Sequence, residues 1–192
     1  VASAHLVLLP IVRKSQDEQP VMDFIQRLAR QLRGVDYHGQ PLRVEIDARD
    51  IGATRNWDWI KRGIPLRLEI GPRDVAADAV FLARRDQDHR TKVSMGRERF
   101  LSEVGTILDE IQAALFRRAL DFQQAHTLAL DDEAAFYAFF TPRHIEKPEI
   151  HGGFALAHWC GGGDCEARIK EDPGVTIHCL PFDQARFPVE PG

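Results

Sequence analysis

RVEIDARDIGATRNWDWIKRGIPLRLEIGPRD, residues Arg43 to Asp74, alternates at both of its ends. In RVEID, Val44 and Ile46 point one way and Arg43, Glu45 and Asp47 the other. In PLRLEIG, Leu66, Leu68 and Ile70 oppose Arg67 and Glu69. A period of two predicts two strands, each with one face on a core. Arg67 and Glu69 then share the outward face. Between the strands, Arg49, Arg55, Lys61 and Arg62 outnumber Asp50 and Asp58, and Trp57 and Trp59 are interleaved with them. Cations contact phosphate, guanidinium forks match guanine edges, and aromatic faces stack unpaired bases. Gly71-Pro72 predicts a turn that leaves Arg73-Asp74 at its tip. A plainer reading stands beside this one. Trp57 and Trp59 also suit the apolar face of a short helix, and Arg67 and Glu69 a solvated ion pair of little worth.

Working outward, Leu6-Val7-Leu8-Leu9 forms a continuous apolar run within His5–Val12, which predicts a buried strand. Val21, Phe24, Ile25, Leu28 and Leu32 recur at helical spacing, and Gly34 stops that helix. Ala79–Arg84 and Lys92–Met95 are apolar runs that pair across the polar turn Asp86–His89. The predicted order is β-α-β-α-β-β-β, a small α/β domain with a mixed sheet. From Arg97 to about His126 apolar residues recur every three or four positions, a long amphipathic helix with Gly105 as a candidate break. The acids Asp131-Asp132-Glu133 suit the start of a further helix running to Thr141-Pro142. Its stripe of Phe136, Tyr137, Phe139 and Phe140 reads as core. The domain boundary is expected near Gly96, giving domains 1–96 and 97–192.

The chain has 192 residues, 44% hydrophobic and 28% charged, with a net charge of −4. That suits a globular chain of one large or two small domains. It argues against nucleic-acid binding over the whole surface but leaves room for a local basic patch. No apolar run approaches a membrane span, and no signal peptide is evident. The chain opens at Val1 without an initiator Met, which reads as a fragment or a processed product. The three cysteines, Cys160, Cys165 and Cys179, are odd in number and clustered late, so a reducing compartment is expected. Glycine fills three of the four positions between Cys160 and Cys165, which lets both thiolates turn onto one zinc ion. Cys179 is a candidate third ligand, and His158 and His178 are neighbours. Three reduced thiols without metal is the alternative, with Cys179 at the start of a strand.

The run DARD…RNW.WIKRGIPLRLEIGPRD resembles the anticodon-binding domain of prolyl-tRNA synthetases, and GIPLRLEIGPRD is its most specific part. WCGGGDCEARIK and CLPFDQ resemble the extra C-terminal domain carried by one branch of that family. The resemblance covers nearly the whole chain and is weakest in motifs between about Glu98 and Pro148. It implies an α/β anticodon-binding domain with a mixed sheet flanked by helices, followed by a smaller α+β C-terminal domain containing Cys-bearing strands.

It also implies recognition of proline tRNA. Prolyl isoacceptors share two adjacent anticodon guanines, whose acceptor pair an Arg fork matches and whose amino donors a carboxylate accepts. Arg67, Arg73 and Asp74 match the family's base-reading positions. Lys61, Arg62 and Arg55 are candidates for phosphate, and Trp57 for a stacking platform. Some relatives carry a glutamate where Ile60 stands, so contacts of that carboxylate do not carry over. Cys160 and Cys165 match the first zinc-binding pair, with further ligands implied in a Cys-rich turn after PFDQ; the zinc site is expected to be incomplete here.

Proline–tRNA ligation with ATP and Mg would reside in an N-terminal class II catalytic domain. Nothing in these residues matches its ATP-binding arginine motifs, so the chain alone is expected to be inactive, with no catalytic residue of its own. Implied partners are proline tRNA, that catalytic domain and a second copy in a full-length homodimer, in the cytoplasm, with neither membrane nor DNA. The alternative is an accessory or zinc-binding interaction module on the same fold.

Overall fold

A computed structural model describes residues 2–142, 144, 146 and 152–183. Two compact units divide the chain, Val1–Arg117 and Arg118–Gly192.

The first unit runs β1 (Leu6–Pro10), α1 (Glu18–Arg33), a small hairpin of β2 (Asp36–Tyr37) and β3 (Gln40–Pro41), β4 (Val44–Ile46), α2 (Ala53–Lys61), β5 (Leu66–Ile70), α3 (Pro72–Ala76), β6 (Ala79–Arg84), β7 (Val93–Gly96) and α4 (Arg97–Ala125). Five strands form one mixed sheet in the order β4-β1-β5-β6-β7. β4 and β5 lie parallel to β1, with Leu6 opposite both Val44 and Leu66. β6 runs antiparallel to β5, and β7 antiparallel to β6.

Alternation sorts the side chains onto two faces. Leu6, Leu8, Leu66, Leu68 and Ile70 pack with Phe24, Ile25 and Leu28 of α1 and with Phe100, Val104 and Leu108 of α4. Val7 and Leu9 point the other way and pack with Trp59 of α2 and with Ile64. The second face is therefore covered as well, as in parallel sheets generally. This corrects the expectation that Asp47 and Arg67 face solvent, while Glu69 is partly exposed. Asp47 and Arg67 are buried, at 5% and 2% exposure.

Gly71-Pro72 opens α3 rather than a free turn, which corrects the second local expectation. Proline suits the first helical position, and the Asp74 carboxylate accepts a hydrogen bond from the Gly71 N–H at 2.9 Å.

α2 ends in a doubly bonded cap. The Gly63 N–H donates to the Ile60 carbonyl (3.0 Å) and the Ile64 N–H to the Trp59 carbonyl (3.2 Å). Gly63 sits at φ +73°, and a β-carbon there would lie 3.2 Å from the Arg85 guanidinium. Left-handed backbone costs an L-residue roughly 1–2 kcal/mol. Gly63→Ala is therefore expected to destabilise the unit by about that amount, read as a lower urea midpoint with an unchanged m-value.

α4 is unbroken at Gly105. Phe100, Val104, Ile107, Leu108 and Ile111 bury in the sheet's core, each contributing roughly 1.5–3 kcal/mol. The first turns of α4 thus pack with the first unit, and the two compact units divide after Arg117.

In the second unit, β8 (Thr127–Ala129) pairs in parallel with β9 (Phe154–Leu156). α5 (Glu133–Phe140) is capped by the Asp132 carboxylate, which accepts from the Ala135 N–H at 3.0 Å. α6 spans Gly163–Glu171. The aromatic stripe of α5 packs ring on ring, with Phe136 and Phe140 centroids 5.1 Å apart. It stays half-buried, and no described residue of this unit is fully buried. The cysteines are not on strands. Cys165 lies in the first turn of α6, and Cys160 and Cys179 lie in irregular backbone.

Candidate nucleic-acid interface

Both parallel crossovers of the first unit leave from the same end of the sheet. α1 follows β1 onto one face and α2 follows β4 onto the other. The loops after β1 and β4 therefore diverge, opening a cleft of about 710 Å³ at the carboxyl ends of β1, β4 and β5. Such a switch point is where open α/β sheets bind ligands.

Arg67 stands mid-β5 between Val7 of β1 and Ala83 of β6. Its Nε and Nη2 are buried and have no hydrogen-bond partner. These two nitrogens form one edge of the guanidinium fork. Burial lowers its pKa, and the charge of Glu69 opposes that shift. Glu69 itself pairs with Lys92, both carboxylate oxygens accepting from Nζ at 2.7 Å. Lys92 also sits 5.8 Å from the Phe81 ring centroid.

Arg73, Lys61 and Arg62 are exposed. The Arg62 guanidinium lies 4.9 Å over the Trp59 ring. Asp74 is half-buried, one oxygen engaged with Gly71 as described. Trp57 is 46% exposed, and its ring centroid lies 4.9 Å from that of His89. Arg55 differs from the rest. Its guanidinium donates to the carbonyls of Pro10 (2.7 Å), Arg49 (3.1 Å) and Asp47 (3.3 Å). It ties the loops after β1 and β4 together, and those donors are not free for phosphate. Ile60 is half-buried on α2.

A polar knot underneath was not singled out from the sequence. The Asp47 carboxylate accepts from Arg49 Nε (2.9 Å), Arg49 Nη2 (2.7 Å), the Arg49 backbone N–H (3.1 Å) and Trp59 Nε1 (2.7 Å). The Arg49 bonds, aided by Trp59, hold its carboxyl far below the usual carboxylate range against the opposing effect of burial. This knot seats α2 on the sheet. The signal was Asp-x-Arg directly after a strand, with a Trp one helix later.

In the second unit, Cys160 and Cys165 are neighbours. The Cys165 thiol hydrogen-bonds the Cys160 sulfur and, with the Gly162 amide, lowers the Cys160 pKa. The Gly162 N–H lies 3.4 Å from the Cys160 sulfur. Cys179 is exposed, and among the described residues no three His, Cys, Asp or Glu side chains gather in a metal-binding group. Two thiols alone do not make a closed tetrahedral centre. The turn after PFDQ lies outside the described residues.

The first unit is a small α/β domain whose five-stranded mixed sheet carries an arginine-rich crossover. The chain belongs to the anticodon-binding domain family, which it matches over residues 5–106. Residues 146–192 match a second family, the C-terminal domain of prolyl-tRNA synthetase. Proline–tRNA ligase 2 of Anaeromyxobacter dehalogenans is 45% identical over 197 aligned residues, covering 100% of this chain and 38% of that protein. The proline–tRNA ligase of Protochlamydia amoebophila is 42% identical, covering 96% of this chain and 37% of that protein. The chain thus spans well under half the length of these relatives. A crystal structure of Cryptosporidium parvum prolyl-tRNA synthetase with L-proline and AMP superimposes with a TM-score of 0.71. It covers 95% of this chain and 37% of that one at 22% identity, a likeness of fold. Among the described residues, no helix is long and apolar enough to cross a membrane.

Proposed function

We propose that this chain is the tRNA-recognition portion of a proline–tRNA ligase and that it binds the anticodon of proline tRNA. The observation that carries the reading is the unpartnered edge of Arg67. Two buried donors side by side match the two acceptors, O6 and N7, that guanine presents on one edge. Leaving such donors unmet costs about 1–3 kcal/mol each in the free protein. The edge is sealed in the free protein, so a guanine meets it only where the cover over β5 opens; the contact then removes that cost, and the affinity depends on the base.

Asp74 complements the fork. A carboxylate has about four lone-pair sites. Capping Gly71 therefore leaves it able to accept from the guanine N1–H and amino group. Arg73, Lys61 and Arg62 supply exposed charge for the backbone, and Trp57 an exposed ring for stacking. Arg55 is assigned to holding the loops together. Attachment of proline to tRNA with ATP belongs, in this reading, to a catalytic domain of the longer protein, in the cytoplasm and as a homodimer. The 192 residues alone are expected to form no prolyl-tRNA.

Titrating the chain with a proline-tRNA anticodon stem-loop, and with one whose two guanines are replaced by adenine, tests the reading. Tighter binding of the guanine loop is expected, with affinity falling steeply between about 50 and 200 mM salt. Equal affinity for both loops would overturn it.

A further inference from the structure

We propose that Cys160 and Cys165 form a reversible dithiol–disulfide site, a modification site of the second unit that is closed by low-molecular-weight disulfides such as oxidised glutathione. The proposal stands independently of the anticodon reading.

The backbone builds the pair. Gly161 turns the chain back at φ +78°, a left-handed conformation that glycine adopts without strain. Gly162 then caps α6 and Gly163 opens it, which places Cys165 in the first turn of the helix. A β-carbon on Gly162 would lie 3.4 Å from the Cys160 sulfur, so that sulfur is folded back against the turn. There it meets the Gly162 N–H at 3.4 Å and accepts the hydrogen bond of the Cys165 thiol. Two thiols are too few for a closed tetrahedral metal centre, but they are all that a disulfide requires.

Exposure sets the order of the exchange. Cys160 is exposed and Cys165 half-buried. The Cys160 sulfur, as thiolate, attacks one sulfur of the oxidant, and the other leaves as a thiolate that takes up the displaced proton. The Cys165 sulfur then loses its proton and attacks the Cys160 sulfur, breaking the mixed disulfide. The second half of the oxidant leaves as a thiol. Two cysteine thiols have given two electrons and two protons to one small disulfide, which ends as two thiols. In a reducing compartment the pair stays open, and an oxidising load closes it. Closure fastens the first turn of α6 to the chain that follows β9. α6 is already tied to α5 by Arg168 to Glu133 (3.3 Å) and by the Tyr137 hydroxyl to Asp172 (3.1 Å). A small unit with no fully buried described residue gains most from such a staple.

The test equilibrates the 192-residue chain, stripped of metal by a chelator, in buffers of graded reduced and oxidised glutathione. Free thiols are then capped with N-ethylmaleimide, and the chain is weighed and mapped. The expected product is a single chain capped only on Cys179, with Cys160 joined to Cys165. Its midpoint potential should lie about 30 mV below that of the same chain in urea, tenfold in the equilibrium constant, because the fold holds the sulfurs together. Gly161→Ala, which opposes the turn, should move the native midpoint toward the urea value. Cys165→Ser should stop at the mixed disulfide of Cys160 with glutathione. Equal midpoints in native and denatured chains would overturn the proposal, as would a first disulfide that takes Cys179 or joins two chains.

Discussion

Arg67→Met is expected to make the protein more stable and less able to discriminate its RNA. Arg67 is 2% exposed and leaves Nε and Nη2 without partners. Replacing buried ionic side chains by apolar ones of similar volume is often neutral or stabilising by about 1–4 kcal/mol, and a charge with unmet donors lies at the favourable end. The neighbours Val7 and Ala83 are apolar and accept the change. On the RNA side, a lost bidentate contact costs about 1–3 kcal/mol of discrimination, or roughly 5- to 150-fold. Thermal melts and stem-loop titrations on the same preparation check both signs. An arginine kept only for the fold would lose stability on replacement. An arginine kept for a ligand shows the opposite trade, because its cost in the free protein is recovered only on binding.

Asp47→Ala is expected to damage the first unit strongly. It strands the buried Trp59 Nε1 and removes the acceptor of three Arg49 bonds. The Arg49 side chain is about half exposed, at 47%, so its share is reduced by solvent. The stranded indole and loosened loop leave an expected loss of about 2–4 kcal/mol. α2 carries Trp57 and Lys61, so stem-loop affinity should fall as well. Urea denaturation and the titration together read this out.

The same carboxylate gives a pH dependence with a definite sign. Its folded pKa lies far below the ordinary value of 3.8. The unfolded state therefore binds the proton more readily, and the stabilisation is complete above the unfolded value. It is lost as pH falls below about 4 and through the folded pKa. Wild type should lose stability over that acid range more steeply than Asp47→Asn.

The five sheet strands and the long helices of the first unit were legible because their periods are clean, whereas the short β2–β3 hairpin and α3 carry no period and were not. LRLEI and the run Leu6 to Leu9 give β5 and β1, and Val21 to Leu32 gives most of α1. What alternation cannot say is whether the second set of side chains meets water. It states only that two sets point apart. Trp59 decides the matter by packing from α2 onto Val7 and Leu9, which turns Arg67 and Asp47 from surface groups into buried ones. Gly71-Pro72-Arg73-Asp74 has the chemistry of a helix start, proline first and an acid at the third helical position. Read as a turn, it loses that meaning. The second unit was less legible because it has no fully buried described residue to impose a period. Helix α6 was hidden by the three glycines at its start, Gly161 and Gly162 before it and Gly163 as its first residue, although acids open it and Arg168 and Lys170 close it.

The unpartnered edge of Arg67 is expected to read guanine. The most direct test replaces each anticodon guanine in turn by 7-deazaguanine, which removes the N7 acceptor and keeps the rest of the base. Stem-loop affinity is then measured for wild type and for Arg67→Ala. At one of the two positions the substitution should weaken binding to wild type and leave binding to Arg67→Ala unchanged, a coupling of about 1–3 kcal/mol. Equal losses in both proteins at both positions would show that Arg67 does not meet that acceptor and that guanine is read elsewhere.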